Sequence, residues 1–181
     1  LCGTACSRDA KPADPAKPAD PTAHDAGMAA PAERTALLEK LGPYHRAIRT
    51  NSAEAQQFFD EGLTLLYGFN HEEAMASFAR AAALDTLSPM PHWGMALALG
   101  TNINDPAPAD RLAKAFTHLA QAARRAANGS EVEQGLVAAL GTRYVANPTG
   151  DQSVRETAYA DAMGALATRF PDDADVGALH A

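Results

Sequence analysis

The sequence predicts an all-α chain built from antiparallel helix pairs, with a disordered tail at its front. Three observations lead there. Alanine fills 42 of 181 positions while Val and Ile together fill only 7 (5 + 2), a composition that favours helix over sheet. N-capping residues and Gly or Pro stops recur at the spacing of short helices. Inside those helices, small and large apolar residues return at fixed offsets.

Helices are expected near 33–41, 52–67, 71–84, 89–99, 109–127, 131–144, 153–169 and 173–181. Asn70-x-x-Glu73, Ser130-x-x-Glu133 and Ser153-x-x-Glu156 match the reciprocal capping box. Ser88 offers an N-cap with Pro89 at the first helical position. Asp172 or Asp173 caps the last helix. Gly68, Gly100, Asn128-Gly129 and Pro171 mark the stops. Each helix is short and Ala-rich, so its stability must come from packing on its neighbours.

Counted from Ala55, one helix pair places Phe58 at position 4, Gly62 at 8, Ala74 at 20, Phe78 at 24 and Ala81 at 27. Gly62 and Ala74 belong where the two helices cross, because a larger side chain would push them apart. Phe58 and Phe78 fill the space beside that crossing. A second unit starts with Trp93, 35 residues after Phe58, and repeats the small–large–small pattern at Ala115, Leu119 and Ala122. The loop Thr101–Pro108 lengthens it. A third pair, 131–144 with 153–169, keeps the helix lengths but has degenerate small-residue positions.

These positions resemble those of the bacterial tetratricopeptide-repeat (TPR) proteins, many of them exported. The run Leu65-Leu66-Tyr67-Gly68-Phe69-Asn70-His71-Glu72-Glu73-Ala74 is similar to a first repeat. Met90-Pro91-His92-Trp93-Gly94 followed by Gly100-Thr101-Asn102-Ile103-Asn104 is similar to a second, and Arg169-Phe170-Pro171-Asp172-Asp173 to the turn opening a later one. The resemblance covers residues from about 50 to 181 and implies an α-solenoid with a concave binding surface. Some members place two cysteines just ahead of the Trp. Ser88 and Pro91 stand there in this chain, so no redox or metal role carries over.

In such a solenoid the first helix of each pair lines the groove. The implied lining is Gln56, Phe59, Leu63, Leu66 and Tyr67, then Pro91, Gly94, Ala98, Thr101 and Asn102. This face reads as apolar and uncharged with amides at its edges. It suits an extended or helical protein segment; an acidic carboxyl terminus would call for a Lys/Arg clamp. The opposing expectation is that another helix of the same chain already covers it. Asn102 and Asn104 lie in a loop read first as a structured turn and second as a ligand contact at the groove rim.

Other chemistry is not indicated. Lys+Arg 15 against Asp+Glu 22 gives a net charge of -7, which argues against nucleic acid as a partner. His71, Glu72 and Glu73 point in three directions on a helix, and Glu73 has a capping role. His24, His45, His92 and His118 stand apart, and no His-x-x-x-His pair occurs. The sequence therefore predicts no catalytic residue, no metal site and no cofactor. Arg124-Arg125, with Arg111 and Lys114, reads as a solvated face.

The front of the chain divides in two. Residues 1–6 read as the remnant of a signal peptide, in which Gly3-Thr4-Ala5-Cys6 resembles a bacterial lipoprotein cleavage box with Cys6 as the lipidated residue. The position that usually carries Leu is Gly3. The alternatives are a plain signal peptide and a Cys2–Cys6 disulfide. Residues 7–31 are a Pro/Ala-rich tether that repeats Ala-Lys-Pro-Ala-Asp-Pro and lacks the apolar surface to fold. The helical domain then runs over 32–181, and the apolar pattern at Val176–Ala181 predicts continuation past Ala181. No run approaches a membrane span, so a membrane would be reached only through a lipid at Cys6. The expected function is a protein-binding scaffold of the cell envelope. The alternative is the structural front half of a larger enzyme or metal protein.

Overall fold

The structure, a computed structural model, describes residues 35–102, 105–146 and 151–181. Cys2, Cys6, the tether at 7–31, His24 and Asn104 lie outside the described residues. The fold is all-α. Its helices are α1 (Ala53–Tyr67), α2 (His71–Leu84), α3 (Met90–Ala98), α4 (Ala109–Arg125), α5 (Glu131–Gly141), α6 (Gln152–Arg169) and α7 (Ala174–His180). A single 3₁₀ turn, Ala126–Asn128, follows α4. Among the described residues there is no strand, only an isolated bridge between Asn102 and Asp105.

The helix expected near 33–41 is absent from the part described: residues 35–52 form neither helix nor strand. Its end is broken by left-handed backbone at Lys40 and Gly42, followed by Pro43. Leu37 and Leu38 are exposed.

Capping follows the expected chemistry only in part. Ser52 accepts from the Ala55 N–H at the start of α1. Ser130 and Glu133 form the reciprocal box at α5, and Asp173, rather than Asp172, caps α7. Asn70 makes no side-chain cap bond. Ser88 caps nothing, because α3 begins one residue later with Pro89 at the N-cap. At α6 the cap is Asp151, whose carboxylate accepts from the Ser153 N–H, so the Ser153–Glu156 box does not form.

The turn between α1 and α2 departs most from expectation. Gly68 ends α1 with an ordinary negative φ of -80, and the left-handed position falls on Phe69 at φ 60. The Asn70 N–H reaches back to the Leu65 carbonyl and the Phe69 N–H to that of Leu66. This is the double closure of a Schellman motif, with Phe where Gly is usual.

Each helix packs on the next in sequence, and α1 also meets α3, as α3 meets α5. The centre of this packing is Phe78 of α2. A Cβ on Gly62 of α1 would stand 2.5 Å from the Phe78 ring, and one on Gly94 of α3 would stand 2.7 Å from it. One aromatic ring thus lies between two glycine backbones, and three helices close on it. Phe58, Gly62, Ala74, Phe78, Ala81, Trp93, Ala115, Leu119 and Ala122 are all buried. Complete burial of each large side chain among them stabilises by about 1.5–3 kcal/mol. The rear is thinner: α6 buries only Met163 and Leu166, and α7 only Val176.

Candidate peptide-holding face on the first helix

Residues Gln56, Asp60, Leu63 and Tyr67 fall at intervals of four, three and four along α1, so they share one face. The segment 44–51 is held along it. Gln56 binds this segment from both of its amide atoms: Oε1 accepts from the Ile48 N–H at 2.9 Å, and Nε2 donates to the Arg46 carbonyl at 2.8 Å. Nε2 also donates to Asp60 Oδ1 at 2.9 Å, which holds the two side chains in register. Asp60 Oδ1 accepts from the Arg46 N–H at 3.0 Å, and Oδ2 lies 2.7 Å from His45 Nδ1.

The far side of the segment is fixed by acids from distant helices. Arg46 is buried, and its guanidinium forks onto α7. One terminal nitrogen donates to Asp173 at 2.8 Å and Asp175 at 2.9 Å, and the other to Asp173 at 3.1 Å. Tyr44 and Tyr67 both donate their phenolic O–H to the same oxygen of Asp175, with their rings edge to face at 5.9 Å. The Arg49 N–H donates to buried Glu133 at 2.8 Å. Thr50 and the Asn51 N–H end the run on Asp85.

Burial alone would lower the Arg46 pKa, but its bonds to Asp173 and Asp175 more than offset this and raise it. Burial would likewise raise Asp173; the Arg46 bond and the capped Val176 N–H outweigh it and hold the carboxyl below its usual value. The Tyr44 and Tyr67 phenols are pushed up, first by burial and then by the Asp175 carboxylate. Asp85 is held down by the Thr50 hydroxyl and three backbone N–H groups, against burial.

The groove residues read from the sequence therefore separate. Gln56 and Tyr67 touch the held segment. Phe59 and Leu63 are 0% exposed and Leu66 is 9% exposed, so none of them is an open surface. Phe59 packs tilted on Phe78, with ring centroids 5.6 Å apart. Pro91, Gly94 and Ala98 are buried, Gly94 against Phe78, and are core rather than lining. Asn102 joins Asp105 in a two-residue bridge, and the Thr101 carbonyl accepts from Arg143; neither meets the 44–51 segment in any of these bonds.

The face is covered, as one expectation held, but by a non-helical segment in place of a helix. Nor is its polar rim uncharged. Asp60, Asp173, Asp175 and Glu133 supply it, three of them from residues far along the chain. Sequence spacing along one helix could show only Asp60. Arg125 also departs from the solvated reading, since it donates to the Thr86 carbonyl and to Gln121.

His71 is lowered by burial and then by Arg111. His92 of α3 and His118 of α4 stack at 5.8 Å, each with an unpartnered buried Nδ1. Among the described residues no three His, Cys, Asp or Glu side chains gather to hold a metal, and no helix is long and apolar enough to cross a membrane. Compared with protein-family models, curated proteins and solved structures, the chain finds no match.

Proposed function

We propose that this chain is a tetratricopeptide-like interaction module that acts as an exported, lipid-anchored scaffold of the cell envelope. The repeat positions support the architecture: Gly62, Phe78 and Gly94 interlock three successive helices, and alternate helices α1, α3 and α5 meet along one side. Export and anchoring rest on the lipobox-like run ending at Cys6. One observation carries the binding role. The α1 face holds a non-helical chain segment by its backbone, through Gln56 and Asp60. Such contacts read main chain regardless of side chain, which is how a groove accommodates an extended protein segment.

The test uses the full chain from its natural start, purified from the envelope with its bound proteins under mild conditions. A partner retained by the native chain and lost with Gln56→Ala plus Tyr67→Ala supports the reading. Retention that ignores both substitutions removes the α1 face from it. Labelled fatty acid incorporated into the native chain but not into Cys6→Ser supports the anchor, and no incorporation removes it.

A further inference from the structure

We propose that residues 44–51 are an internal occupant of the α1 face, and that they mark it as a receptor for a partner's basic segment bearing an aromatic–x–Arg–x–aliphatic pattern. This rests on the interaction-module reading above and names the chemistry of the partner. Nothing inside the segment shapes it: among the described backbone bonds outside helices, none joins two residues of 44–51. Its form comes from the groups around it, as a ligand's does.

Two kinds of contact hold it. The first reads backbone: Gln56, Asp60, Glu133 and Asp85 take the N–H groups of Ile48, Arg46, Arg49 and Asn51. The second reads side chains. Asp173 and Asp175 form a pocket for a guanidinium fork, which an ammonium would fill without its paired geometry. Asp175 also accepts an aromatic hydroxyl two residues earlier, at Tyr44, whose ring packs edge to face on that of Tyr67.

Charge complementarity favours the same occupant. The segment brings Arg46 and Arg49, and every charged group that grips it is a carboxylate. The pocket is split between the first and last helices, since Tyr67 lies on α1 and Asp173–Asp175 at the start of α7. A partner that replaces Arg46 must therefore bridge the same two helices. The internal segment competes with it, so apparent affinity falls by the fraction of chains in which the segment is released.

The probe is a labelled nonapeptide of the sequence at 43–51, with blocked ends, titrated into the full chain. The Arg46→Ala chain is expected to bind it at least about tenfold more tightly than the native chain, because the competitor is weakened. A peptide with Ala in place of the residue matching Arg46 should lose at least about tenfold in affinity for that same chain, and Asp175→Asn should lose the peptide's preference for Arg. Equal binding of both peptides overturns the proposal.

If Arg46→Ala fails to fold, hydrogen exchange on the native chain decides. The Arg46 and Ile48 amides should exchange faster when the peptide saturates, while those of α2 stay unchanged. Exchange as slow as the α2 core, and unmoved by peptide, would make the segment a permanent brace and overturn the proposal. Concentration-dependent dimers that the peptide dissolves would assign the face to a second copy of this chain, which also overturns it. Failure here with a specific partner still captured leaves the module reading intact and moves its surface elsewhere.

Discussion

The front and rear of this helical array are held together by different forces. In α1–α3 the contact is steric: one buried phenyl ring, Phe78, sits between Gly62 and Gly94, and Trp93, Phe58 and Phe59 are wholly or almost wholly buried nearby. In α6 and α7 few side chains are buried, and an apolar cleft lined by Phe116, Ala123, Val137 and Tyr144 opens between α4 and α5. α5 packs on α3 and α4, and a further tie, a polar one, joins that end to the segment before α1. Arg46 binds Asp173 and Asp175, and Arg49 donates its N–H to Glu133. Close packing makes a short-range contact that depends on shape. A buried ion pair makes a contact that depends on both partners keeping their charge.

Removing Arg46 tests the second force and should have the largest effect. Arg46→Ala leaves two carboxylates on α7 without their counter-charge. A fully buried pair broken from one side costs 3–5 kcal/mol in general, and the two acids here are partly exposed, so about 3 kcal/mol is expected. Denaturant unfolding measures it. Arg46→Lys should recover part of the loss, because it restores charge without the planar fork. A loss below about 1 kcal/mol would mean that the rear docks without the segment.

Overfilling the front tests the first force. Gly62→Leu places side-chain atoms where the Phe78 ring lies and should cost about 2 kcal/mol. Pairing it with Phe78→Leu should restore part of that, since the two sites share one volume. Gly177→Ala in α7 is the contrast. Nothing lies within 4 Å of its added Cβ, so the better helix former should stabilise by about 0.5–1 kcal/mol. If both glycines respond alike, the difference between the two ends is not one of packing.

The same contrast explains what was legible in the sequence. Gly62, Ala74 and Phe78 could be placed because their spacing is set by two helices adjacent in the chain. The Arg46–Asp173 contact spans 127 residues and depends on where the packing of all the intervening helices brings α7, which no local pattern encodes. The segment before α1 misled for another reason. A helix is expected near 33–41, but Lys40, Gly42 and Pro43 turn the backbone away from helix. At α6 two capping residues stand two positions apart, Asp151 and Ser153, and the sequence favoured the one with a Glu three residues on.

Acid should probe the seam between front and middle. His92 is lowered to about 4, chiefly by burial, then by the Arg125 charge and by His118, whose own pKa burial also lowers. A histidine lowered in the folded state binds its proton more readily when unfolded. Its contribution is therefore intact above about pH 6.5 and is lost as the pH falls from there towards 4. The melting temperature should decline across that window, and His92→Gln should flatten the decline. Below it, Asp173 and Asp85, both held down in the fold, are protonated in turn and the segment before α1 loosens. A melting temperature constant from pH 7 to 4.5 would show that the His92 ring meets solvent freely.

The smallest expected effect is a gain, and it lies inside the tightly packed front. Phe69 holds a left-handed backbone at the α1–α2 turn, a conformation that costs a residue with a Cβ about 1–2 kcal/mol. Its ring is 63% exposed and has only a tilted neighbour, His71, at 6.2 Å, so little packing offsets the strain. Glycine relieves the strain but also loosens the unfolded chain, which returns part of the gain. The net for Phe69→Gly should be about 0.5–1 kcal/mol of added stability, seen as a small rise in melting temperature. Phe69→Ala separates the causes: it removes the ring, keeps the Cβ and should leave stability nearly unchanged. Should Phe69→Ala destabilise while Phe69→Gly gains nothing, the ring itself supports the turn, and the front owes more to its exposed surface than to the Phe78 contact alone.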